Sequence, residues 1–240
     1  MEKYSELIDR ISAFEKKELF LGNGDFTVNP SVAAKVGEDN RFGSFYGDTI
    51  VFRLDKRDIR DIGMFINELY AQNGRCFCER FPDDTLHMTL HDLSNSPHYD
   101  DIADKMTENE RRLWTITRDA IIPAPVKMRC KAIFNMVNTS LVLGLYPDSE
   151  EDHRQLMLLY EAVDTICPLP YPFTPHITLA YFNRYGFDAE SARSLEHTVN
   201  QLNFSPAFEK LSLHGIMLDP DKLYYQHFMS MKDYTDVFRL

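Results

Sequence analysis

"LHMTLHDL" at residues 86–93 and "PHITLAYF" at residues 175–182 carry one pattern twice, about ninety residues apart: histidine, apolar residue, threonine, leucine. Both stretches read as β-strands. Successive side chains of a strand point to opposite faces, so His87 shares a face with Thr89, and His176 shares one with Thr178. Each copy therefore delivers an imidazole and a hydroxyl to one side of its sheet. Eight histidines and thirteen threonines in 240 residues give fewer than one His-x-Thr triplet by chance. The matching flanks, and the equivalent places of the two copies in the chain, favour halves of one site over the alternative of two unrelated strand histidines.

Working outward from each copy, the same grammar appears. "TIVFRL" at 49–54 reads as a strand, and residues 58–74 place Ile59, Ile62, Ile66 and Leu69 on one helical face, with Gly74 as a stop. "CFCERF" at 76–81 reads as a further strand before the first copy. A helix over about 101–120, carrying Ile102, Met106, Leu113 and Ile116, ends at the prolines of "IIPAP". In the second half "VKMRCKAIFNMV" and "SLVLGLYP" are strands joined by a turn at Asn138 and Thr139. Ser149 caps a helix with Leu156, Leu159, Val163 and Ile166, and the second copy comes next. Asp188 caps another helix, and "LSLHGIMLD" and "YYQHFMSM" read as closing strands.

At the N-terminus, Tyr4, Leu7, Ile8, Ile11 and Phe14 have helical spacing, while residues 22–47 hold five of the ten glycines and read as a long loop. The expected fold is α+β: two pseudo-symmetric lobes with antiparallel-rich sheets around a central groove, helices on the outer faces. Residues 1–240 form one bilobal domain, with 1–48 as helix and glycine-rich loop. Residues 49–120 and 121–240 carry the lobes, with room for strand exchange between them.

Composition narrows the function. The apolar share of 44% supports a core, and the charged N-terminal segment has no apolar run suited to a signal peptide or a membrane span, so a soluble cytoplasmic protein is expected. Cys76, Cys78, Cys130 and Cys167 match neither a zinc ribbon nor a Cys-x-x-Cys pair and read as reduced, structural thiols. A formal charge of −11 argues against long duplex nucleic acid, whose binding draws on lysine and arginine replacing counterions. A nucleotide or an exposed RNA end, met locally, fits better. Oligomeric state is not legible.

Two imidazoles flanking one groove suit phosphodiester cleavage: one, neutral, takes a proton from the attacking oxygen, and the other, protonated, gives one to the leaving oxygen. Threonine hydroxyls donate to the non-bridging oxygens. The scheme requires no metal and no cofactor. A three-histidine metal site from His87, His91 and His176 fails on geometry, since His87 and His91 in a regular strand are about 13 Å apart. A module that only binds cyclic nucleotides or RNA ends is the alternative, although binding alone has no use for two proton-transfer groups.

On "HMTL" and "HITL" the chain resembles the 2H phosphoesterase superfamily, which includes 2'-5' RNA ligase-like proteins and cyclic nucleotide phosphodiesterases. The resemblance covers about 49–230 and extends to the "FTP" before the second copy. It implies a metal-independent groove acting on 2',3'-cyclic phosphates, 2'-5' linkages or related nucleotide phosphodiesters. His87 and His176 would be the acid/base pair, and Thr89 and Thr178 the phosphate holders.

Four further residues are candidates for substrate contact. His91 continues the alternation onto the groove face, with local bonding at a strand end as the alternative. Phe182 lies on the His176 side and could stack on a base, with core packing as the alternative; Tyr181 points away. Arg129, on "VKMRCK", could meet a phosphate or belong to a wet face. Tyr46, with Lys35 and Arg41, lies in the glycine-rich loop, which could close over a ligand or only wrap the lobe.

Overall fold

The computed structural model describes residues 2–16, 24–118 and 124–240. Helix α1 (Tyr4–Lys16) precedes strand β1 (Tyr46–Arg53), α2 (Lys56–Asn73), β2 (His87–Ser96) and α3 (Ala103–Arg118). Then come β3 (Val126–Met136), β4 (Ser140–Pro147), α4 (Glu150–Asp164) and β5 (His176–Tyr181). Helices α5 (Ala189–Asn203) and α6 (Pro206–His214) lead to β6 (Ile216–Leu218), β7 (Leu223–Ser230) and β8 (Asp233–Arg239).

The eight strands form one sheet in the order β6-β3-β4-β5-β2-β1-β7-β8, antiparallel at each pairing. The two His-x-Thr strands are central neighbours of this sheet, with a wing of strands on either side. The units β1-α2-β2 and β4-α4-β5 repeat strand, helix, strand. The C-terminal β7 and β8 extend the wing of β1 and β2, while β3 and β6 extend the other.

Apolar periodicity explains the helices. In α2, Ile62, Ile66 and Leu69 are fully buried, and in α5, Leu195 and Val199 are too; each such side chain contributes about 1.5–3 kcal/mol. Ser149 accepts from the Asp152 amide at 3.1 Å, and Asp188 accepts from the Ser191 amide at 2.7 Å, so both expected caps are present. Helix α1 seats Leu7 and Ile11 in the core and stacks Phe14 on Phe134 with centroids 5.3 Å apart. Cys76, Cys78 and Cys130 are buried, and burial pushes each thiol up to about 12. No helix among the described residues is long and apolar enough to cross a membrane.

Three local expectations are corrected. "CFCERF" is not a strand: Cys76 ends a 3₁₀ turn begun at Gly74, and only Phe77 bridges, to Phe182. Residues 211–214 end α6 rather than begin a strand; Ser205 caps that helix through the Phe208 amide at 3.1 Å, and Pro206 opens it. The glycine-rich stretch, over its described part, holds a 3₁₀ turn at Pro30–Ala34 capped by Asn29, and bridges Phe26 to Phe187 and Val36 to Phe42. Gly22 and the expected helix stop at 121–123 lie outside the described residues.

A buried carboxylate ties the first wing together. Asp48 of β1 accepts from Asn109 of α3 at 3.0 Å, Tyr225 of β7 at 2.9 Å and the Ser94 amide of β2 at 2.8 Å. Beside it, Gly47 leaves room for its neighbours: a Cβ there would lie 2.3 Å from the Ser94 carbonyl oxygen and 2.2 Å from the Phe228 ring. Gly47→Ala is expected to destabilise the protein by about 1–3 kcal/mol through overpacking, read as a lower urea midpoint with unchanged m-value. An unchanged midpoint would show that β1 and β7 separate freely.

Candidate active site

His87 and His176 are the first residues of β2 and β5, and Met88 pairs with Ile177 across the sheet's midline. Met88 and Ile177 are fully buried, which turns the flanking His87, Thr89, His176 and Thr178 to the opposite face. All four line one groove of about 680 Å³, a size suited to a nucleotide.

Each imidazole is oriented in the same way. Nδ1 of His87 donates to the Thr85 carbonyl at 2.7 Å, and Nδ1 of His176 donates to the Thr174 carbonyl at 2.7 Å. A proton held on Nδ1 leaves Nε2 as the nitrogen with a free lone pair, available to the groove. Burial pushes both imidazoles below their ordinary 6.5, while the carbonyl hydrogen bonds and the charge of Asp92 oppose it. The two rings are near enough that charge on His176 lowers His87 further, and Lys35 does the same to His176. Thr89 and Thr178 make no side-chain hydrogen bond among the described residues, so both hydroxyls face the groove unengaged.

The symmetry extends one step further than the motif. In β2 the register skips Leu90, since Val51 pairs with Thr89 and Ile50 with His91. In β5 it skips Leu179, since Val142 pairs with Thr178 and Leu141 with Ala180. Both strands thus carry a β-bulge directly after the threonine, and each bulge inverts the parity of the residues that follow, in β2 as far as a second shift at Leu93.

The bulges leave His91 bordering the groove with its ring fully buried, where Nε2 meets Asp164 of α4 at 3.0 Å, Nδ1 is bonded to the Asp92 carbonyl and the ring lies 5.1 Å from Tyr160, and they correct the expectation for Phe182. Phe182 is likewise buried, among Phe26, Phe77 and Phe187 with centroids 4.8, 6.1 and 5.8 Å away. Asp92 and Tyr181 also line the groove, at equivalent positions of the two strands, Tyr181 against the expectation that it points away. The strand pattern carried a warning, because strict alternation would have sent Asp92 to the covered face.

Two other candidates lie elsewhere. Tyr46 packs edge-on against Tyr99 at 5.7 Å, and Arg129 is ion-paired with Asp148 beside Lys127; neither lines the groove. Lys35 does line it. So does Tyr234 of β8, a strand the sequence did not disclose, whose ring meets His87 edge-on at 5.1 Å. Helix α1 adds Arg10 and Phe14 to the rim, with Arg10 donating to the Phe173 carbonyl and paired to Glu2. Among the described residues, no cluster of three histidine, cysteine, aspartate or glutamate side chains is placed to hold a metal ion.

No family model matches the chain, and no curated protein matches it. Among solved structures, a conserved Agrobacterium tumefaciens protein of unknown function superposes with a TM-score of 0.71 at 16% identity, covering 94% of this chain and 98% of that one. The two share their fold. Looser matches, at TM-scores of 0.48 and 0.45, are a structure described as a phosphoesterase (15% identity, 81% of this chain and 96% of that one) and Escherichia coli LigT (12% identity, 82% and 98%).

His91→Ala is expected to lower stability by about 1.5–3 kcal/mol, because it removes a hydrogen bond to a carboxylate and leaves Asp164 short of a donor. Turnover by the folded variant should stay near the unsubstituted value. A stable but inactive variant would show that the His91 ring takes part in the reaction.

Proposed function

We propose that the protein is a phosphodiesterase acting on 2',3'-cyclic phosphates, 2'-5' linkages or related nucleotide phosphodiesters, with His87 and His176 as its proton-transfer pair. The observation that carries this reading is the matched orientation of the two rings, each Nδ1 tied to the carbonyl two residues upstream and each Nε2 free on one groove. For a 2',3'-cyclic phosphate, a neutral imidazole takes a proton from water as the water oxygen bonds to phosphorus. The bond from phosphorus to one ribose oxygen breaks, and the protonated imidazole delivers a proton to that oxygen. The product is a phosphomonoester beside a free hydroxyl. Thr89 and Thr178 donate to the non-bridging oxygens, where charge grows in the transition state.

His87→Ala and His176→Ala should each lower kcat by about 10²–10⁴-fold on 2',3'-cyclic nucleotides, with activity of the parent unchanged by chelator. Full activity in either variant would remove that histidine from the mechanism.

The electrostatics of the site set its pH profile. The base must be neutral, so activity falls as pH drops through its pKa; the acid must be protonated, so activity falls as pH rises through its own. Both values lie below 6.5 in the free protein, which puts the maximum of kcat/KM below pH 6.5. A bound phosphate anion favours both protonated forms, so the kcat maximum should lie higher. A kcat/KM maximum above pH 7 would contradict burial as the dominant influence on these rings.

A further inference from the structure

In a chain of net charge −11, the cation at the groove without a carboxylate partner is notable for how it is held. Arg10, also at the rim, is paired with Glu2, whereas Lys35 has no carboxylate within ion-pair distance among the described residues. Its ammonium instead lies 5.3 Å from the centroid of Phe45 and 5.2 Å from that of Tyr181. Aromatic faces hold an ammonium in place without neutralising it.

The backbone beneath it is anchored on several sides. The Lys35 amide donates to the Val32 carbonyl at 2.9 Å, and its own carbonyl accepts from Gly43 at 2.9 Å. Arg184 donates to the carbonyls of Ala33 at 3.0 Å and Val36 at 2.6 Å, and the Phe42 amide donates to Glu79 at 2.6 Å. This segment is thus fastened to Glu79, before β2, and to Arg184, after β5. A four-carbon side chain loses rotamer freedom when held so, a cost the fold bears to keep an uncompensated charge beside His176.

We propose that Lys35 is a third phosphate-binding group of the groove, donating to a non-bridging oxygen of the reacting phosphodiester on the β5 side. The proposal rests on the two-histidine reading. Its counterpart across the midline supports it: the two bulges place Tyr181, under Lys35, opposite Asp92, a carboxylate that repels phosphate oxygens and accepts from hydroxyls or amines. The groove therefore has a polarity that the His-x-Thr pair alone lacks. Anionic oxygens turn toward Lys35, and the donor-bearing part of the substrate turns toward Asp92. His176 feels the charges of both groups, that of Asp92 more than that of Lys35, so the two opposite charges share the groove with it.

The test compares Lys35→Met, Lys35→Gln and Lys35→Arg with the parent and with His87→Ala, using 2',3'-cyclic nucleotide hydrolysis and calorimetric binding of inorganic phosphate. Unfolding midpoints identify which neutral variant keeps its fold. The expected result for that variant is a loss of about 10–100-fold in kcat/KM and at least about tenfold in phosphate affinity, with arginine restoring most of both. Unchanged turnover and phosphate affinity in a folded neutral variant, with His87→Ala inactive, would overturn the role of Lys35 and leave the histidines standing. If His87→Ala and His176→Ala are instead fully active, the two-histidine reading fails. Phosphate affinity of the lysine variants then decides about Lys35 alone, its loss supporting the binding role and its persistence ending it.

Discussion

The pairing of Met88 with Ile177 at the centre of the sheet is the constraint on which the rest depends. Both side chains are fully buried, so a slip of one residue in either strand would expose an apolar row and bury the histidines. That penalty couples stability to function. The apolar residues between histidine and threonine set the register, and the register sets which imidazoles share a groove.

Given that register, the site is assembled by backbone rather than by side-chain networks. The carbonyls of Thr85 and Thr174 aim the rings, and bulges at Leu90 and Leu179 decide which later residues accompany them into the groove. The wing strands then differentiate the two sides. Tyr234 walls His87, while Lys35 over Tyr181 brings positive charge toward His176. A nearly symmetric frame thus carries an asymmetric lining.

Much of this was legible in the chain because period-2 and period-3.6 patterns report burial directly. Among the described residues every α-helix was visible except α6, whose cap at Ser205 and proline at 206 were hidden by an apolar run that also suits a strand. β8 alternates between exposed and half-buried residues, so its polar sequence lacked the apolar row that marks a strand. The His-x-Thr pair was readable because it is local to each strand. Phe182 and Tyr181 were misassigned for one shared reason: the bulge after Thr178 has no residue signature here, and one extra residue inverts the positions that follow it. The wrapping of residues 30–45 around the groove depends on bonds to Glu79 and Arg184, contacts between distant parts of the chain that no local pattern encodes.

The central claim is that two Nε2 atoms converge on one phosphorus centre. Histidine ¹⁵N resonance spectroscopy tests it most directly, read without and with one bound equivalent of inorganic phosphate. The account predicts that His87 and His176 both carry their proton on Nδ1 in the free protein, and that both Nε2 signals shift together as phosphate fills the groove. A response from one ring only, or protons resident on Nε2, would contradict it.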